Sequence, residues 1–435
     1  MTGSCRSEHA EGRAARNCPP QLEGNAVLTS WERQIILILV DTKNYQVKEM
    51  DVIQFTRMLS DKDFPNLKKL KYKYPGDFAV FVETLKTLYY KELPIKAADG
   101  TTLVYMDNYV NVDLRSVKLL LRQQRESYGV KAVEDEILAS SAIESIDFDR
   151  DSVRSILRGF APKDETENRI LGQKKGVEFI SNPGNNITEE NLHALYQMMV
   201  GDFLPAEERL PDGAYFRNDA VYVVSDHVEH SGTDHRLLPE YMRALIVFIQ
   251  AEDGINELLK AAMIHFYIAY LHPYFDGNGR MARMVHLWYL IQRGYQTTLF
   301  VPFSSLIAKS RREYYSAFTV VEENSKLSGV LDVTPFLQYF TKMVYDQMQQ
   351  SAVSTDILTQ YREAAEAGQV TEKESALWKF VLSHYGNNEF STKQLERDFG
   401  NAAYATIRSF VLKFQTIGLL ESAAYGKRVK YMIKP

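Results

Sequence analysis

The chain has 435 residues, with 51 Lys and Arg against 56 Asp and Glu, for a formal net charge of −5. Hydrophobic residues make up 45% and charged residues 25%, ordinary globular usage that excludes a wholly disordered or collagen-like chain. The mild acidity excludes a uniformly basic nucleic-acid coat, so any DNA contact needs a local patch.

In chain order, the first residues carry the only cysteines, Cys5 and Cys18. That excludes a disulfide-stapled fold and a cysteine-based zinc site. Basic residues near the start are not followed by an apolar run, so no secretory signal is expected. The aliphatic run Ile35 to Val40 is far shorter than the roughly 20 residues that cross a bilayer. The sequon Asn186-Ile187-Thr188 is then a chance match. The expectation is a cytoplasmic protein with no membrane partner. Residues 1–29 are polar and aperiodic and read as a disordered arm. Residues 30–130 read as an N-terminal mixed and helical module for packing and partner binding. It has a helical period over 78–90 and a hairpin from Pro94 to Asp107 around Asp99-Gly100.

Residues 131–350 are mostly helical by period, with apolar runs at 133–145, 166–179, 188–200, 238–250, 255–271, 280–293, 310–321 and 333–349. The period breaks at 201–237, where Tyr222-Val223-Val224 predicts a strand of a β-hairpin flap. His227, His230 and His235 have a metal-like spacing there, but flap polarity is the commoner reason for such a cluster. A link is expected at 351–370. Residues 371–435 hold ten Lys and Arg against six Asp and Glu, a local charge of +4. Their order is helix (374–384), short helix (391–398), helix (402–416) and an alternating hairpin around Tyr425-Gly426. Ser391-Thr392 caps the second helix and Gly400 ends it. That is the order of a winged helix-turn-helix. The fold class expected is mainly α.

The chemistry concentrates in His272-Pro273-Tyr274-Phe275-Asp276-Gly277-Asn278-Gly279-Arg280-Met281-Ala282-Arg283. Pro273 ends one helix just after His272, and a second helix leaves from about Gly279. Gly277-Asn278-Gly279 then opens a helix, where unpaired N–H groups and the dipole favour phosphate. Arg280 and Arg283, three apart on one face, add bidentate cations. Asp276 is a hard oxygen ligand suited to Mg²⁺ shared with phosphate oxygens. His272 is a base candidate near neutral pH. An EF-hand loop from Asp276 fails, because its twelfth position is Leu287. A Walker A loop fails for want of Gly-Lys-Ser/Thr.

This segment resembles the Fic family motif HPFx(D/E)GNGRxxR, with Tyr274 in place of Phe. The resemblance implies a Fic-type helical bundle with a flap, covering about 131–345. It implies transfer of AMP from ATP, with Mg²⁺, to a hydroxyl of a target protein. His272 would take the hydroxyl proton and Asp276 would hold the metal. Gly277, Asn278, Gly279, Arg280 and Arg283 would hold the phosphates. Gly279 stands where the related Doc toxins, which phosphorylate, carry Lys. Gly213 to Arg217 and Val221-Tyr222-Val223 fit the region leading into the target-docking flap. Tyr314 and Tyr315 fit the nucleoside side of the pocket or an ordinary helix core. Upstream, Ser140-Ser141-Ala142-Ile143-Glu144-Ser145 resembles the family's inhibitory helix, (S/T)xxxE(G/N), which marks a class II member. There Glu144 would pair with Arg283 and occupy the γ-phosphate position. Ser145 departs from the Gly or Asn that tolerate a left-handed helix end. The partners implied are a target protein bearing a Ser, Thr or Tyr hydroxyl, with a homodimer as a further candidate. Two rival functions are removal of AMP by the same site and a DNA-binding regulator with the Fic core as sensor.

Overall fold

The computed structural model describes residues 36–40, 47–110, 129–225, 228–295, 303–351, 355–385, 389–426 and 428–434. The expected arm at 1–29 and His227 lie outside these. The chain is mainly helical. Two helices form its centre, α10 (Glu257–Leu271) and α11 (Asn278–Gln292). Nearly every residue of both is buried, including Met281, Met284, Val285, Trp288 and Tyr289. A helix buried on all sides needs no polar stripe, so its apolar positions exceed one face.

Around this pair stand α5 (Gly129–Ile143), α6 (Arg150–Leu157), α7 (Glu165–Ser181), α8 (Glu189–Met199) and α9 (Leu238–Gln250). After α11 come α12 (Phe303–Lys309), α13 (Arg311–Ser328) and α14 (Thr334–Tyr339). Their starts follow local chemistry. Asp149, Asp164, Thr188 and Asn256 each accept a backbone N–H from the first turn that follows. The helix α6 carries no apolar period that the sequence reading detected. Its Arg154 Nε donates to buried Glu134 of α5 at 3.0 Å, and Arg150 pairs with the same carboxylate.

The described part of the N-terminal region contributes to two apolar clusters. A hairpin, β1 (Ile36–Val40) and β2 (Val47–Asp51), leads into α1 (Val52–Leu59), α2 (Leu67–Lys73) and α3 (Phe78–Leu88). Most of the buried residues from Met50 to Leu85 form their own cluster. The hairpin of β3 (Lys91–Lys96) and β4 (Thr102–Tyr105) instead packs Leu93, Ile95, Leu103 and Tyr105 into the central core. Gly100 turns it at φ 83, and the single turn α4 (Asp107–Val110) follows it. β4 also pairs in parallel with β7 (Leu331–Asp332), which locks the hairpin to the far end of the bundle.

A short hairpin of β5 (Tyr222–Ser225) and β6 (Val228–Ser231) interrupts the helices, as the broken period predicted. The stretch expected to be a link is helical over Thr355–Glu366, and its Ile357 belongs to the C-terminal cluster. That cluster also holds the helices Glu372–His384, Thr392–Phe399 and Tyr404–Thr416, followed by the antiparallel strands Leu420–Tyr425 and Arg428–Ile433. Ser391 forms a capping box with Gln394, and Gly400 ends the middle helix at φ 68. No helix among the described residues is long and apolar enough to cross a membrane.

Candidate active site

The sharp turn between α10 and α11 brings the motif residues together. His272 caps α10 in the left-handed region, at φ 55 and ψ 60, which side-chain-bearing residues seldom adopt. Its Nδ1 lies 3.2 Å from the Ala269 carbonyl oxygen. A carbonyl only accepts, so Nδ1 carries the hydrogen and the neutral ring keeps its lone pair on Nε2.

Gly277 opens α11 at φ 78, and no side chain caps that terminus. A Cβ on Gly277 would lie 2.6 Å from Val200 Cγ2, so both backbone angle and space require glycine. The first-turn N–H groups of a helix have no intrahelical acceptor and form an anion site. Asn278, expected to face the phosphates, does something else. Its Oδ1 accepts from Tyr274 N at 2.9 Å and its Nδ2 donates to Tyr274 O at 2.8 Å. Both ends of the amide therefore hold the loop. The Tyr274 ring stacks on Tyr196 with centroids 3.9 Å apart, which anchors the loop from below.

Arg280 Nη2 meets Asp276 Oδ2 at 2.9 Å; the arginine is buried and the carboxylate largely exposed. Burial pushes the Arg280 guanidinium down, and Asp276 opposes that shift. Arg283 is 3% exposed and lies against α5. Its Nε donates to Ser140 Oγ, and its Nη2 to Ser140 O and Glu144 Oε1, each at 2.9 Å. Burial disfavours the Arg283 charge, but Glu144 together with the Tyr314 and Tyr315 hydroxyls outweighs it and leaves the guanidinium raised. Arg280 Nε and Arg283 Nη1 are buried donors without a hydrogen-bond partner. The Glu144 carboxylate presses on the first turn of α11. A Cβ on Gly279 would stand 2.1 Å from Glu144 Oε1.

The remaining expected residues are spread more widely. Tyr314 is buried among Phe318, Phe336 and Tyr339, and its hydroxyl lies 2.8 Å from His265 Nε2. Tyr315 is half-buried beside the end of α5, donating to Ile143 O at 3.3 Å. Ser145 stands at φ 61 and accepts from Arg311 Nη2 at 3.1 Å. His235 lies 3.8 Å from Asp234, and no group of three or more metal-ligating side chains occurs among the described residues.

Two residues had no spacing signal. Glu136 of α5 is buried and accepts from Ser304 N at 2.9 Å, with Ser304 Oγ as a second donor. Burial pushes its carboxyl up, and the Ser304 donors oppose this. Arg217, noted only as part of the approach to the flap, is 2% exposed and reaches the turn at His272.

Residues 186–290 match the Fic/DOC family. The matched span runs from just before α8 to near the end of α11. The protein adenylyltransferase Fic of Culex quinquefasciatus is 26% identical over 226 residues, 48% of this chain and 41% of that protein. That of Aedes aegypti is 26% identical over 228 residues, 51% of this chain and 41% of its own. The chain thus spans about two fifths of the length of these curated relatives. Among solved structures, a Fic family protein from Desulfovibrio desulfuricans G20 aligns with a TM-score of 0.43 and 19% identity, over 70% of this chain and 86% of that one. A Fic-1 fragment from C. elegans aligns with a TM-score of 0.44 and 17% identity, over 66% and 79%.

Proposed function

We propose that this chain transfers AMP from ATP to a Ser, Thr or Tyr hydroxyl of a target protein, and that Glu144 holds the site off. The observation that carries this reading is the Arg283–Glu144 pair seated on the terminus of α11, the helix that follows the His272 turn. The donor set fits an oligophosphate. Arg280 Nε and Arg283 Nη1 are buried and unpartnered, and the glycine-opened helix start adds its N–H groups.

Asp276 is a single carboxylate, so a Mg²⁺ there would share phosphate oxygens, the usual pattern for that ion. When bound, Mg²⁺ supplies charge neutralisation on those oxygens. The protein's own steps are positioning and proton transfer. The target hydroxyl gives its proton to His272 Nε2 while its oxygen bonds to the α-phosphorus. The bond from that phosphorus to the bridging oxygen of the β-phosphate breaks, and pyrophosphate leaves. Arg283 would hold the γ-phosphate, which needs the place Glu144 now fills. The two-stranded hairpin of β5 and β6, with Tyr222 exposed, offers a strand edge on which an extended target segment can pair. We read residues 371–435 as a winged helix that serves as an interaction module.

The test uses a Glu144→Gly chain with α-labelled and γ-labelled ATP and a lysate. The α label should appear on protein and the γ label should not; transfer of the γ label would mean phosphorylation instead. A His272→Ala chain should lose labelling and keep ATP binding. Loss of ATP binding in a folded His272→Ala chain would remove the base assignment.

A further inference from the structure

We infer that Arg217 is a positioning residue for the transfer proposed above, stapling both feet of the β5–β6 hairpin to the backbone that carries His272; the inference rests on that reading. Its guanidinium meets four backbone carbonyls. Nε donates to His272 O at 2.7 Å, Nη1 to Asp219 O at 2.5 Å, and Nη2 to Leu271 O at 3.4 Å and to Thr233 O. Its own N–H adds a bond to Pro273 O at 3.0 Å. Arg217 therefore serves three consecutive carbonyls, those of residues 271 to 273.

These carbonyls belong to the end of α10, where the helix leaves acceptors without intrahelical partners and the dipole favours a cation. His272 turns left-handed there, a conformation that persists only where its surroundings enforce it. Arg217 is that enforcement. The other two carbonyls, Asp219 and Thr233, bracket the hairpin on its two sides. The feet are drawn in further, since Gly232 N donates to Val221 O at 3.0 Å and Thr233 N to Leu271 O at 3.2 Å. Gly232 leaves no room for a side chain between the two groups. A Cβ there would lie 2.7 Å from Arg217 Nη2 and 3.2 Å from His272 Cβ. One buried cation thus sets the distance between the hairpin edge and the His272 ring. A lysine has one point of charge and cannot span four acceptors in a plane.

The experiment uses the full chain in the Glu144→Gly background, with Arg217→Ala and Arg217→Lys. Misplacing the ring should lower kcat for AMP incorporation by about 100-fold in Arg217→Ala. The KM for ATP should stay within roughly threefold, because the α11 terminus is untouched. Arg217→Ala leaves a slot lined by carbonyls, so millimolar guanidinium should restore part of its rate and none of the parent's. Hydrogen exchange at residues 219–233 and 271–273 should quicken in both variants, while α11 stays protected. An unchanged kcat, or ATP binding lost in step with kcat, would overturn the inference. If the Glu144→Gly parent itself incorporates no AMP, the functional reading fails. Exchange then decides the positioning role alone, and unchanged exchange at both hairpin feet overturns it.

Discussion

Replacing Glu144 should activate the site, and the structure sets how strongly. The pair to be broken is a charge-assisted hydrogen bond at 2.9 Å between a guanidinium 3% exposed and a carboxylate 31% exposed. Such bonds contribute about 1.5–3 kcal/mol. The partly wet carboxylate places this one near the lower end, at about 1.5–2 kcal/mol. At tenfold per 1.4 kcal/mol, Glu144→Gly should raise the initial rate of AMP incorporation about 10–30-fold at subsaturating ATP. Glu144→Gln keeps the shape and one neutral hydrogen bond, so its gain should be about fivefold. Arg283→Ala breaks the same pair but removes the phosphate clamp, so it should give no gain and should weaken ATP binding. The assay is initial-rate incorporation of α-labelled AMP, with ATP affinity measured separately. Equal rates for the parent and Glu144→Gly would refute the inhibitory role, and so would activation by Arg283→Ala.

Two further outcomes follow from backbone strain and from a buried acid. Ser145 occupies φ 61, a conformation costing a residue with a side chain about 1–2 kcal/mol, and its contact with Arg311 is exposed. Ser145→Gly should therefore tighten the end of α5 and lower basal incorporation about 2–5-fold; a higher basal rate would show that the Arg311 contact matters more. Asp332 is pushed up from 3.8 to about 6, chiefly by burial and against the opposing Thr334 hydrogen bonds. The folded state thus holds this proton more tightly than the unfolded chain. Its contribution is complete below about pH 4 and is lost as pH rises to about 6. Asp332→Asn keeps an acceptor for Thr334 N, so urea midpoints at about pH 4.5 and about pH 7 should differ less than in the parent. An identical difference in both chains would rule out Asp332 as the titrating group.

The motif residues were legible because they are contiguous. Residues 272 to 283 fit one helix end, one tight loop and one helix start, so spacing alone predicted a phosphate-favouring terminus. Glu144 was legible through the likeness of its short segment, and it does meet Arg283. Asn278 was expected at the phosphates and its amide bonds its own loop, a contact that nothing in the sequence foretells. Arg217 was invisible as a functional group because its acceptors are carbonyls on separate stretches of chain, and every residue has a carbonyl. The helix α6 escaped for a related reason: Arg150 and Arg154 find their partner on α5, in tertiary space. The parallel pair of β4 with β7 joins only Leu103 and Val104 to Leu331 and Asp332, too short a match to leave a period. Tyr314 and Tyr315 are neighbours on one helix, and only packing separates the core residue from the one beside α5.

The way α5 is held explains how a site can be shut without being frozen. Its middle is fixed by buried groups, with Glu136 accepting from Ser304 at the start of α12 and Glu134 paired with Arg154 and Arg150. Leaving either carboxylate without its partners would cost several kcal/mol, so the body of the helix stays in place. Its last turn is different. Ile146 N donates to Ser141 O at 3.0 Å around the left-handed Ser145, a Schellman-type end built on a strained residue. Arg283 donates to Ser140 O, one of the last four carbonyls of α5, so the cation proposed to clamp a phosphate also caps the end of α5. On the proposed reading, nucleotide and helix end would compete for the same guanidinium. Opening would need only the turn from Ser140 to Ser145 to give way, at the cost of the half-buried carboxylate's bond and part of a cap. On the proposed reading that cost would lie within reach of a bound partner or of ATP itself, whereas the cost of unseating Glu136 would not.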